Sequence, residues 1–546
     1  MEKYLLTTFL SFILISDSCS NMKTHADLIL YNAKIYVVDS AMSVVGAMAV
    51  RDRKISSVGS NADILGSFSG GTVIDCRGKS VFPGFIDAHC HFYGYALNLR
   101  NIDLTGSVSF EEVVTRIRKE VPAVNGKWIV GRGWDQNLWD TKAFPDRGEL
   151  DKLFPVNPVV LLRVDGHVLL ANQTALHLAG FDGRGNFPQG EVEMKGGRLT
   201  GILSENAADH MRSLIPAPAG ELKDLLVRAQ ENCFAAGLTT ISDAGLEDGI
   251  VKLYDQLIRD SVLKIRIYAM LNPTSGNFNS FIKNGPLLLD RLNVRSVKLY
   301  ADGSLGSHTA LLKKAYSDMP GTIGIRVTSP DSIRKFCKIC MEHGFQVNTH
   351  AIGDSANKLV LDIYAEFLKG KNDRRWRIEH CQVVDNEDID KFGMYSVIPS
   401  IQATHATSDM NWAGERLGPL RIRNAYAYKA LLARNGWIAN GTDFPVENIS
   451  PLYTFYASVA RKDLNGMPDE GFQAENALSR EEALRSVTIW AAKADFWEHE
   501  TGSLEPGKAA DFVILDKDIM KIREDEIPRA SVLSTYISGV EVYRKH

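Results

Sequence analysis

Four histidines, a lysine and an aspartate stand out in this chain because each closes an apolar, strand-like run. His89 and His91 follow Phe82-Pro83-Gly84-Phe85-Ile86-Asp87-Ala88. Lys298 lies in Val297-Lys298-Leu299-Tyr300, His350 in Val347-Asn348-Thr349-His350, His380 in Ile378-Glu379-His380 and Asp443 in Gly441-Thr442-Asp443. Residues two apart on a strand share a side, so an extended His89-Cys90-His91 aims both imidazoles at one point. Neutral imidazole is the commonest protein metal ligand, and a nitrogen and carboxylate donor set suits borderline divalent ions such as zinc. Taken singly, a histidine at a strand end is ordinary core or loop structure, and Asp443 reads equally as a helix cap or turn residue. Lys298 is harder to dismiss, because burying a bare ammonium is costly; it needs a partner, a shifted pKa or chemical modification. All six together point to a metal centre.

The elements that position them alternate in type. Apolar runs at 238–242, 263–270, 294–300, 344–350, 375–381, 395–402 and 436–443 read as buried strands, with helical patterns between many of them, as at 222–236 and 355–368. Counting the His89 strand first gives about eight, and alternating β and α predicts an α/β fold with a parallel sheet closed as a TIM-like (β/α)8 metallo-barrel. Chemistry then belongs at the C-terminal strand ends, where the six residues stand. Short β-rich runs at 28–38, 47–50 and 55–58 match others at 511–515, 532–537 and 540–543. They predict one small β-sandwich domain built from both termini, residues 27–80 and 500–546, with the barrel at 81–499. A stretch of about 96–230 is too long for one loop and is expected as an insertion over the barrel mouth. Within it, Trp134 and His167 are candidates for substrate contact, as is Asn172; for Trp134, packing inside the insertion is an equal alternative.

The chain has 546 residues, 45% hydrophobic and 23% charged, with a formal net charge of −4. That is ordinary globular composition, and no basic excess suggests nucleic acid as a partner. Seven scattered cysteines do not form a disulfide framework, and Cys337-Lys-Ile-Cys340 sits in a helical pattern, where packing is the simpler role. Lys3, the apolar run at 5–15 and the small residues Ser16 and Ser18 fit a secretory signal over 1–18, too short to span a bilayer as a mature helix. Residues 19–26 are expected as a tether. Cys19 invites bacterial lipid attachment, although Ser16 and Asp17 depart from the usual lipobox. The alternative is simple export with Cys19 incidental. Either way the expected location is the bacterial cell envelope or periplasm, with membrane contact only through lipid on Cys19.

The motif Pro83-Gly84-Phe85-Ile86-Asp87-Ala88-His89-Cys90-His91, with Asp302-Gly303-Ser304-Leu305-Gly306-Ser307 and Gly502-Ser503-Leu504-Glu505-Pro506-Gly507-Lys508-Ala509-Ala510-Asp511, resembles the metal-dependent amidohydrolase superfamily. The likeness is to its amidohydrolase family 3 branch, which includes N-substituted formamide deformylase-like proteins. It covers nearly all of the mature chain. The stretches at 163–167 and 401–410 are also similar to that branch, whereas His308 stands where the branch usually has arginine. The resemblance implies that His89, His91 and Asp443 bind one divalent metal, zinc by preference, and that His350 and His380 bind a second. An N-carboxylated Lys298 would bridge them; an unmodified Lys298 implies a single ion. Asp443 would move a proton between water and the leaving nitrogen, His380 would help polarise the carbonyl, and Asp302 and Gln402 would join the substrate-binding residues. The implied reaction is hydrolysis of a non-peptide carbon–nitrogen bond in a small-molecule amide or cyclic amide. Alternatives are a deaminase or isomerase on the same scaffold, and a non-catalytic, surface-anchored binding protein. An oligomer is compatible with all three.

Overall fold

A computed structural model describes residues 23–120, 126–181, 191–217 and 220–545. The expected signal segment 1–18 and Cys19 lie outside the described residues. Eight parallel strands follow one another around the barrel: β1 Phe85–Cys90, β2 Leu238–Leu246, β3 Arg266–Leu271, β4 Leu292–Tyr300, β5 Gln346–Ala351, β6 Arg377–His380, β7 Ile398–Ile401 and β8 Ala439–Asn440. Every residue of β1, β3, β5, β6 and β7 is buried. Strands covered on both faces need apolar side chains on both, which is why they read as unbroken runs rather than alternations. The barrel is the one expected from the alternating pattern.

Among the described residues no ladder joins β8 to β1. The seam is closed instead by the segments that follow the two strands. Asp443 N donates to His89 O at 2.8 Å, and His91 N donates to Phe444 O at 2.8 Å. Asp87 completes the closure: its carboxylate accepts from His89 N, Thr442 N and Thr442 Oγ1. A Cβ at Gly441 would stand 2.5 Å from His89 N, so only glycine lets the two segments meet.

Strands from both termini share one six-stranded sheet, in which Phe512–Leu515 pairs with Ser80–Pro83, and Lys34–Tyr36 lies beyond. A second, four-stranded sheet holds Leu28–Tyr31, Ala47–Arg51, Lys54–Gly59 and Thr72–Asp75. The expected tether is shorter than 19–26, because Thr24–His25 already pairs with Phe68–Ser69 and Ala26 is buried.

The insertion has a six-stranded sheet of its own, including Ile129–Trp134, Val159–Arg163, Val168–Ala171 and Arg198–Ser204. It buries two apolar layers. One face packs on the helix Phe110–Glu120, the other on Gln173–Leu178 and Glu205–Ser213. The helix Leu222–Ala235, which starts inside the expected 96–230 span and runs past its end, packs into the barrel core. Cys337 and Cys340 are buried in the helix Pro330–His343, in keeping with a packing role.

Candidate active site

The C-terminal ends of the strands open into a cavity of about 730 Å³. His91, Lys298, His350, His380 and Asp443 line it, as does His167 from the insertion, while His89 lies beneath them, fully buried. The four strand-end histidines form a continuous ring chain: ring centroids are 5.6 Å apart for His89–His91, 4.9 Å for His89–His380 and 4.5 Å for His350–His380.

Each of these histidines has one nitrogen facing a hydrogen-bond acceptor. His89 Nδ1 donates to Glu379 Oε2 at 2.7 Å, and His91 Nδ1 to Ala244 O at 3.0 Å. His350 Nε2 donates to Gly303 O at 3.1 Å, and His380 Nδ1 to Gln402 Oε1 at 2.7 Å. Anchoring one N–H in this way leaves a lone pair on the opposite nitrogen, as metal-ligating histidines require; on His89 that nitrogen faces Lys298 Nζ. The Nε2 atoms of His89 and His91 lie 3.6 and 3.4 Å from Asp443 Oδ1, a buried oxygen with no hydrogen-bond partner. His89, His380 and Asp443 offer atoms close enough to share one ion. This donor set fits a divalent metal.

Charge states agree with that role. Burial drives His350 and His380 well below the usual imidazole range, and burial with Lys298 lowers His89, so all three favour the neutral, ligating form. Burial would raise Asp443, but the surrounding histidines, His91 first, outweigh it and hold the carboxyl well below its usual range, so it stays ionised. Lys298 is fully buried, its Nζ 3.1 Å from His89 Nε2, and burial lowers its pKa to about 8. His380 and Asp443 adopt φ of 76° and 64°, left-handed conformations that turn both side chains into the site at the strand ends.

Several candidates for substrate contact have other work. Trp134 is buried in the insertion core, its Nε1 donating to Leu161 O and its ring against Trp139 and Phe144; it does not line the cavity. Asn172 caps the helix Gln173–Leu178 and donates to Phe154 O and Asn157 O, also away from the cavity. Asp302 accepts from the backbone of Leu311, Ile352 and Gly353, joining the loops after β4 and β5. Gln402 acts through His380 rather than at the cavity wall. His167 does face the cavity, its ring 5.1 Å from that of His350 and its Nδ1 donating to Glu205 Oε2 at 3.0 Å. His308 pairs with Asp318 outside the cavity lining.

Sequence reasoning missed Glu379 and His405. Glu379 immediately precedes His380 in a strand already singled out. His405 lies in the 401–410 stretch, lines the cavity and places Nε2 3.6 Å from Asp443 Oδ2. The insertion docks on the barrel through Asp165, which binds Arg163 and accepts from Ser304 and Ser307 of the loop after β4.

A family model described as the amidohydrolase family matches residues 72–543. The chain is 33% identical to Protein LONG AFTER FAR-RED 3 of Arabidopsis thaliana, over 95% of this chain and 92% of that protein. It is 27% identical to the N-substituted formamide deformylase of Arthrobacter pascens, over 95% of this chain and 98% of that one. Among solved structures, an uncharacterized metal-dependent hydrolase from Pyrococcus horikoshii OT3 superposes with a TM-score of 0.74 at 28% identity, covering 91% of this chain and 99% of that one.

Proposed function

We propose that this chain, which belongs to the amidohydrolase family, hydrolyses non-peptide carbon–nitrogen bonds in small-molecule amides or cyclic amides. It is a metal-dependent hydrolase with an α/β-barrel site. The observation that carries the finer reading is the set of four histidines, each with one N–H anchored and a lone pair on the other nitrogen, around an unpartnered Asp443 oxygen on the cavity floor.

His89, His91 and Asp443 would hold one ion and His350 and His380 a second, with zinc favoured by these nitrogen and oxygen donors. Lys298 is buried, with its pKa down at about 8, so more of it is the neutral amine that reacts with carbon dioxide; as a carbamate it would bridge the two ions. A bound divalent ion supplies Lewis acidity and brings the pKa of water toward about 7. Asp443 presents a free carboxylate oxygen to the cavity and takes the proton of the attacking water, then returns it to the leaving nitrogen. Gln402 holds His380 by Nδ1, so that its ring stays turned toward the substrate carbonyl. The insertion covers the mouth and limits access of bulk water.

Metal-loaded full-length protein assayed against N-alkyl and N-aryl formamides, acetamides and cyclic amides tests this. The formamides enter because a relative bears the name N-substituted formamide deformylase. Turnover of at least one class, abolished in Asp443→Asn, is expected. A metal-loaded protein inert across the panel, with Asp443→Asn binding the same compounds equally well, would favour the binding-protein alternative. We also propose export, on the strength of residues 1–19; a mature N-terminus at Cys19 supports it, and one at Met1 overturns it.

A further inference from the structure

We propose that Arg132 and Arg212 form a carboxylate-binding subsite at the insertion end of the cavity, so that the substrate is an amide also carrying a carboxylate group. The proposal rests on the hydrolase reading and deepens it.

The two guanidinium groups converge on one residue. The point where Gly166 would carry a Cβ lies 3.4 Å from an Arg132 terminal nitrogen and 3.9 Å from an Arg212 one. Gly166 has no side chain and a φ of 74°, which leaves the space between the two groups open. Its neighbours Val164, Asp165 and His167 all line the cavity, and the His167 ring sits beside that of His350. Neither arginine nor Gly166 itself lines the cavity; the two guanidinium groups stand directly behind these neighbours, at its reaction end.

The positive charge there is only partly balanced by the protein. Arg132 has no carboxylate within ion-pair distance among the described residues; its one hydrogen bond goes to Val164 O at 3.3 Å, and its buried Nε has no partner. Among the described residues Arg212 pairs only with Asp209, whose side chain is 71% exposed, and its buried Nε is also unpartnered. The other nearby acids are engaged. Asp165 is taken up by Arg163, Ser304, Ser307 and the backbone of His167, and Glu205 holds His167 through Oε2 while its Oε1 has no partner. Burial and the neighbouring Arg212 bring the Arg132 pKa down to about 10, outweighing the more distant carboxylates of Asp443 and Asp165. A guanidinium fork matches a planar carboxylate through paired N–H donors, and two forks facing one gap define an anion site more specifically than a single charge does.

Calorimetry on the metal-loaded full-length protein tests this with two matched probes, 3-phenylpropanoate and the neutral 3-phenylpropanamide. The wild type is expected to bind the carboxylate at least tenfold more tightly, and Arg132→Gln and Arg212→Gln each to shrink that preference at least fivefold. Arg212 is about a third exposed, so Arg212→Gln keeps the test open if Arg132→Gln unfolds. Equal affinities in the wild type overturn the proposal. So does a preference that survives both substitutions, which would put the carboxylate on the metal centre. If the arginines carry the preference but neither N-formyl-phenylalanine nor its amide is turned over, the subsite stands and the hydrolytic assignment fails.

Discussion

Replacing Glu379 by glutamine removes one buried negative charge and almost no volume. Glu379 Oε2 accepts from His89 Nδ1 at 2.7 Å, with both side chains fully buried. The buried Arg377, two residues earlier, keeps Asp495 and the carbonyls of Ala88 and Ala494 as partners, so the substitution leaves no bare guanidinium. The net value of a hydrogen bond to a charged group is about 1.5–3 kcal/mol. At about 1.4 kcal/mol per factor of ten, that predicts zinc binding weakened by about ten- to a hundredfold. Competition with a chromophoric chelator measures the dissociation constant, and a thermal melt checks the fold. A folded Glu379→Gln protein with wild-type zinc affinity would refute the view that Glu379 orients and strengthens His89 as a ligand.

The other predictions separate metal-binding from structural residues. His89→Ala and His350→Ala should each lose metal and activity together by elemental analysis and assay, while His177→Ala keeps both. Asn172→Ala should lower stability by about 0.5–2 kcal/mol through loss of the helix cap while kcat/KM holds; a changed kcat/KM would return Asn172 to the site. Gly441→Ala, which forces a Cβ to 2.5 Å from His89 N, should cost at least the roughly 1–3 kcal/mol typical of overpacking and weaken metal binding by moving Asp443; calorimetric unfolding and metal content report both. Native mass spectrometry should find a carboxyl group added to Lys298, and a bare amine would leave a single-ion centre.

The strand ends were legible because a parallel barrel buries both faces of its strands, so a histidine, lysine or aspartate closing such a run stands out against apolar neighbours. The insertion was harder to read. Its sheet also buries two faces, so Trp134 looks like a pocket residue from sequence while packing against Trp139 and Phe144. Asn172 stands directly before the helix Gln173–Leu178, a cap position that would have marked its structural role. Glu379 was invisible for a conformational reason: simple alternation separates it from His380, and only the left-handed backbone at His380 lets consecutive residues serve one site. The closure of β8 on β1 depends on Asp87 and Gly441 meeting although they lie far apart in the sequence, which no local pattern reveals.

The central claim is that these residues hold a divalent ion on which hydrolysis depends. Elemental analysis of the purified protein, paired with chelation and zinc add-back in the amide assay, tests it most directly. One or two zinc-like ions per chain, with activity lost on chelation and restored by zinc, is the predicted result. A metal-free protein that still hydrolyses the amide would contradict it.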